Sequence, residues 1–179
     1  MPRIKYVNDN EWGTVFHNFK KEEFRCPKYC DGFPSKIAYS LLEVMQNLRN
    51  KYGAIRINSA VRCVQYNSEL NGSVSDSDHL EGCACDWSLE NHVFSEAEKN
   101  EIMTYIRTLP NIKYTYSNQT NMFNGIHISV NPTYELANIT KFEIVEVGID
   151  YVKIDFETDE VVDFAMYSLN GEDYINLDS

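Results

Sequence analysis

Between Phe33 and Gly53, apolar residues return every three or four positions. Ile37, Leu41, Val44, Met45 and Leu48 share one helical face, Ser35 stands where an N-cap belongs, and Gly53 supplies a stop. The spacing predicts a helix over this stretch. From Gly53 to Cys63 the period shortens, with Ile55 and Ile57 alternating with polar neighbours, which predicts a strand. Asn71-Gly72-Ser73 reads as a turn. "GCACDWSL" predicts a second strand, with Gly82, Ala84 and Asp86 on one face and Cys83, Cys85 and Trp87 on the other. Ser95 and Glu98 make a capping box for a second helix lined by Ile102, Ile106 and Leu109, and Pro110 ends it. "NGIHISV" predicts a further strand with Ile126, Ile128 and Val130 inward and His127 and Ser129 on the polar face of a half-buried strand.

After Pro132 the pattern changes. "YVKIDFETDEVVDFAMYSL" alternates apolar and charged residues on both sides of an acidic turn and predicts a hairpin. The expected organisation is a domain over 1–136 and an acidic, β-rich extension over 137–179. The expected class is α+β: a small, mainly antiparallel sheet with two or three helices on one face.

Composition narrows the function classes. At 179 residues, with 43% hydrophobic residues, the chain sustains one proper core. A net charge of −11 leaves nothing basic massed against phosphates, so no nucleic-acid partner is expected. The charge is uneven: from Lys141 onward there are eleven acids and two bases, which marks the extension as a surface for docking a protein partner. No apolar run approaches the ~20 residues of a membrane span, and no membrane partner is expected. The opening Met-Pro-Arg-Ile-Lys-Tyr lacks the apolar stretch of a secretory signal, so the expectation is synthesis in a cytoplasm, with action outside requiring lysis, a virion or a carrier.

The five cysteines, Cys26, Cys30, Cys63, Cys83 and Cys85, are an odd number, which favours reduced thiols. "CPKYC" spaces two of them like half a zinc knuckle, but no second compact Cys/His pair completes it. Cys83 and Cys85 point away from the face of Asp86, into the core.

The chemistry rests on few groups. The chain has only four histidines. A His–carboxylate–His set offers Zn²⁺ three ligands and leaves a fourth position for water or a substrate carbonyl. His79, Asp86 and His127 fit that set; taken one at a time, each also reads as an ordinary surface or capping residue.

The stretch "INSAVRCVQYNSELNGSVSDSDHLEGCACDW" adds weight. Asn58, Ser59, Arg62, Asn67, Gly72, Ser73, Ser77, His79, Gly82, Ala84 and Asp86 follow a family pattern in order. It resembles the zinc D-alanyl-D-alanine carboxypeptidase family, which includes phage L-alanyl-D-glutamate endolysins and shares its fold with the Hedgehog signalling domain. The resemblance covers roughly residues 14 to 131. It implies zinc at His79, Asp86 and His127, with Arg62 stabilising the oxyanion of the attacked amide or forming a structural salt bridge. It implies that Ser77 either bonds substrate or closes a turn. The implied substrate is the peptidoglycan stem peptide at the bacterial cell wall, with a phage lysis or virion protein as one setting.

One position departs from the pattern. Active members carry a proton acceptor two or three residues before the last ligand, where this chain has Gly125 and Asn124. Neither takes a proton near neutral pH, and loss of a positioned base costs ~10²–10⁴-fold. His92 or a carboxylate of the acidic tail stands as a replacement. The alternative is a catalytically impaired zinc protein that binds peptidoglycan or serves as a virion structural module.

Overall fold

The computed structural model describes residues 3–28, 36–117 and 124–135 in full and, beyond them, the backbone of four strands. Ile4–Thr133 forms one compact unit; Tyr134–Ser179, with Met1–Arg3, forms a second.

In the first unit, the predicted apolar stripe folds into helix α1, Tyr39–Tyr52, and buries Leu41, Leu42, Val44, Met45 and Leu48. Each of these side chains contributes roughly 2 kcal/mol by leaving water. Gly53 ends the helix at φ 89°, its amide donating to the Arg49 carbonyl. The helix starts later than its pattern predicts. Ala38 pairs with Tyr6 in a β-bridge, and the Ile37 carbonyl accepts from the Val7 amide at 2.9 Å. These bonds hold the residues before Tyr39 extended, so Ala38 is the cap and makes no side-chain cap bond. Ser35 lies outside the described residues.

Strand β1 spans Ile55–Ser59, shorter than its pattern, and Arg62 and Cys63 lie past its end. They lead into a short helix absent from the sequence reading, α2, Val64–Glu69, capped by Cys63 Sγ accepting from the Tyr66 amide. Strand β2, Ala84–Leu89, and helix α3, Glu96–Ile106, follow where the periods predict them. Strand β3, Ile112–Tyr116, is a second unforeseen element, and β4 is Ile126–Val130. The sheet order is β1-β2-β4-β3 and every pair is antiparallel. With three helices around a four-stranded antiparallel sheet, the described part of this unit is α+β.

The sheet's two faces have different jobs. Cys85, Trp87, Ile126, Ile128 and Val130 join the α1 side chains and Phe16, Phe19 and Phe24 in one core. The opposite face carries a row that crosses all four strands: Ser59 pairs with Asp86, Asp86 with His127, and His127 with Tyr116. Directly opposed residues on one face bring their side chains within reach of each other. Residues far apart in sequence thereby become neighbours. The expectation that β4 is half-buried fails, because all five of its residues are buried. It is an inner strand of the sheet, and the polar face is roofed by β3 tyrosines stacked on His127.

Helix α3 keeps its predicted capping box. The Ser95 hydroxyl accepts from the Glu98 amide at 3.3 Å, while Glu98 Oε2 accepts from the Ser95 amide at 2.7 Å. The bonds from Ser95, helped by His92, hold the Glu98 carboxyl down at about 2. A carboxyl depressed from 4.5 lends its bonding above that value and loses it as pH falls through about 2. Protection of the first-turn amides of α3, relative to their intrinsic exchange rates, is therefore expected to fall across that acid window. Ser95→Ala is expected to cost about 1 kcal/mol in a urea melt.

In the second unit, β5, Ile139–Val147, pairs with β6, Val152–Thr158, and β7, Phe164–Ser168, pairs with β8, Tyr174–Asp178. The predicted hairpin across the acidic turn is thus corrected: β6 and β7 are strands, but each takes another partner. Only residues 148–151 separate β5 from β6, and the β7–β8 connection contains Asn170-Gly171, a strong hairpin signal. Among the described residues, no helix is long and apolar enough to cross a membrane.

Candidate metal centre

Asp86 sits at the centre of the polar row. Its Oδ1 lies 2.7 Å from His127 Nδ1, and its Oδ2 lies 2.7 Å from the Arg62 guanidinium and 3.6 Å from His79 Nε2. Register delivers Asp86 and His127; His79 arrives from the loop before β2.

That loop is tightly specified. The His79 carbonyl accepts from the Arg62 amide at 3.1 Å, and the Leu80 and Cys83 amides close turns on the carbonyls of Ser77 and Asp78. Gly82 holds φ +70°, and a Cβ there would lie 1.9 Å from the Lys36 carbonyl oxygen, so no larger residue fits. Asn67 is buried and donates to the Val74 carbonyl at 2.8 Å, while the Ser73 hydroxyl donates to the Asn67 carbonyl at 2.5 Å. Much of the "N…GS…S-x-H-x-x-G" spacing is therefore the framework of one loop.

The protonation pattern leaves room for a cation. His79 Nδ1 lies 2.5 Å from the Ala60 carbonyl oxygen, which only accepts, so the proton sits on Nδ1 and the lone pair on Nε2. Burial lowers the His79 pKa despite Asp86, so the ring stays neutral. Its lone pair then faces the Asp86 oxygen at 3.6 Å, two acceptors in opposition. Burial pushes the Asp86 carboxyl up, but the hydrogen bond from His127 leads the opposing effects, which hold the group ionised, well below the usual carboxylate range. His127 Nε2 is buried and makes no hydrogen bond to the described residues.

One ligand atom from each of His79, Asp86 and His127 lies within 4.8 Å of the others. Neighbouring ligands of a tetrahedral Zn²⁺ stand about 3.3 Å apart, given bonds near 2.0–2.1 Å. The donor set, its spacing and the second bond from His79 to a carbonyl all suit zinc.

The trio opens into a cleft of about 420 Å³ that also takes in Asn58, Tyr66, Ser77, Tyr114 and Tyr116. Ser77 closes its turn through its backbone carbonyl and lines the cleft. Arg62 stands in the cleft wall at 13% side-chain exposure, bonded to Asp86 and, through Nε, to Ser59 Oγ at 3.0 Å. Its salt bridge is a fact of the fold, and its partner is the central carboxylate.

A family model described as Peptidase M15 matches residues 17–129, well over half of the chain. The chain belongs to the M15 peptidase family. The M15 enzymes are zinc peptidases, and the matched span contains Arg62, Ser77, His79, Asp86 and His127. No curated protein and no solved structure matches the chain.

Two parts of this M15 site escape the sequence reading. Tyr114 and Tyr116, from β3, stack on the His127 ring at 5.4 and 4.5 Å between centroids. Asp78, beside His79, accepts from Lys113 at 2.9 Å, from the Tyr114 hydroxyl at 3.0 Å, and from Ser129. This cluster fastens β3 to the loop of His79. The alternation in "IKYTY" was the available signal.

Of the two replacement bases, the carboxylates of the acidic tail lie outside the described side chains. His92 is bonded to Glu98 at 2.9 Å and lines a second cavity with Arg56 and Asn124, not the cleft of His79. Among the described cleft residues, Asp86 is the only carboxylate, and His79 and His127 the only imidazoles.

Proposed function

We propose that this M15 protein is a zinc peptidase that cleaves the stem peptides of bacterial peptidoglycan, as a carboxypeptidase or an endopeptidase of the endolysin type. The observation that carries the reading is His79 Nε2 facing Asp86 beside His127 in an open cleft. His79, Asp86 and His127 would hold the metal. Zinc there supplies Lewis acidity toward a peptide carbonyl and makes water a usable nucleophile at neutral pH.

The chain's own residues do the rest. Asp86 brings the negative charge that retains the cation, and Arg62 keeps that carboxylate in place. Arg62 also places a guanidinium at the cleft wall, where negative charge on the attacked carbonyl oxygen would be stabilised. Ser77 lines the same cleft and would orient the substrate backbone. The phenol rings of Tyr114 and Tyr116 cover His127 and keep water from one side of it. The protein would act at the bacterial cell wall, reached by phage lysis or as part of a virion. The acidic extension from residue 137 would serve as a separate docking module for a protein partner.

A second reading has its own observation, the lack of a fourth titratable carboxylate or imidazole among the described cleft residues. It makes the domain a zinc protein that binds peptidoglycan, or a virion structural module, and turns over slowly or not at all. Incubating the zinc-loaded protein with peptidoglycan and following new amino groups between pH 5 and 9 separates the two. Release that a chelator abolishes supports the peptidase; binding to cell walls without release at any pH supports the module.

A further inference from the structure

Away from the metal trio, two segments run side by side behind the loop of Arg62. The Val61 amide donates to the Phe24 carbonyl at 3.1 Å, the Cys63 amide donates to Cys26 Sγ at 3.5 Å, and the two sulfurs lie 3.7 Å apart. The Val61–Phe24 backbone bond, two residues before each cysteine, and the Cys63 amide on Cys26 Sγ hold this approach. Bringing the sulfurs to a bond length near 2.05 Å asks for a shift of roughly 1.7 Å, within reach of side-chain rotation. Cys63 is partly exposed, so a reagent reaches it, while Cys26 at 6% exposure is shielded behind it. Cys83 and Cys85, at 3% and 0%, lie in the core, and burial pushes the Cys83 thiol up to about 11.

We infer that Cys26 and Cys63 are an oxidation site, a thiol pair that closes to a disulfide and pins the loop carrying Arg62. The oxidant is an external disulfide, such as oxidised glutathione. The Cys63 thiolate attacks one of its sulfurs, forming a mixed disulfide and expelling one thiolate. The Cys26 thiolate then attacks the Cys63 sulfur, forming the internal bond and expelling the second. The two protons given up by the cysteines go to the two leaving thiolates, so one external disulfide is reduced as one internal disulfide forms. In a reducing compartment the pair stays open. The bridged residues are 37 apart in sequence, and Arg62, next to Cys63, donates its amide to His79. Closure therefore ties the segment before α1 to the strand end that reaches the metal trio. The inference stands on this geometry alone and holds whichever function the cleft has.

The test uses the full chain loaded with zinc. The protein is incubated with oxidised glutathione, and its thiols are counted after unfolding. It is then digested with trypsin without reduction. Cleavage after Lys28 puts Cys26 and Cys30 on different peptides, so mass spectrometry distinguishes their partners. The expected result is a loss of two thiols and a Cys26–Cys63 linked peptide. The melting temperature should rise by roughly 10 °C and return to its starting value with dithiothreitol. Cys30→Ser is expected to behave like the unaltered chain, whereas Cys63→Ser gains neither the link nor the stability. A link through Cys30, a glutathione adduct that persists on Cys63, an unchanged thiol count, or release of a metal ion in step with thiol loss would each overturn the assignment.

Discussion

Asp86→Ala is expected to abolish both zinc retention and peptide hydrolysis. Among the described residues, Asp86 is the one group that touches all of His79, His127 and Arg62, at 3.6, 2.7 and 2.7 Å. Its loss removes the sole anion among the described cleft residues and leaves a guanidinium at 13% side-chain exposure without that carboxylate. Altering outer partners of metal ligands weakens binding ~10–100-fold, so losing the central carboxylate should exceed that range. Hydrolysis should fall by roughly 10³-fold or more, the equivalent of the several kcal/mol that a bound Lewis acid gives the transition state. Elemental analysis after dialysis reads the first effect, and the amine-release assay reads the second.

Stability moves as well, with a sign that identifies the cause. Removing one partner of a largely buried ion pair costs about 3 kcal/mol. The Asp86 carboxyl is depressed in the folded chain, so its contribution is present above the ordinary value of 3.8 and is lost as pH falls through the folded value. In the metal-free state, the unaltered chain should lose stability below about pH 3.8 more steeply than Asp86→Ala. Equal zinc content in the two proteins would remove the metal centre from the account.

Much of this site is legible in the sequence, and the rest is hidden for physical reasons. The period of two puts Asp86 opposite the Cys85 side and His127 opposite Ile126 and Ile128, so each residue's face is readable. Their pairing is not, because alternation says nothing about which strand lies next to which. Only register places Asp86 against His127 and His127 against Tyr116. Helix α2 has six residues and one buried side chain, Asn67, so it shows no apolar stripe. Strand β3 has Tyr114 and Tyr116 on its outward face at 42% and 47% exposure, which reads as loop until His127 lies beneath them. Helix α1 starts late because Tyr6, far away in sequence, competes for Ala38. The C-terminal strands show in their alternation, but their partners follow from which connections close most easily.

Arg62→Ala separates the proposed peptidase from a binding module. The guanidinium is tied to Asp86 Oδ2 at 2.7 Å and Ser59 Oγ at 3.0 Å, so truncation acts in two ways. It releases Asp86 from its outer partner, which should weaken zinc affinity by about 10-fold. It also removes the donor at the cleft wall, and loss of one oxyanion donor costs ~10²–10³-fold in kcat. Saturating zinc cancels the first effect and leaves the second, so kcat measured with excess metal should still fall by about 10²-fold or more. Arg62→Lys should restore little of it. A compact ammonium cannot reach Asp86 and Ser59 together as the planar fork does. Measured beside cell-wall binding, the variant becomes decisive. A peptidase loses turnover while still sedimenting with peptidoglycan. A module keeps all it has, and loses function only when the chain is cut near residue 137. Unchanged turnover at saturating zinc would take Arg62 out of the chemistry and leave it as the brace of Asp86.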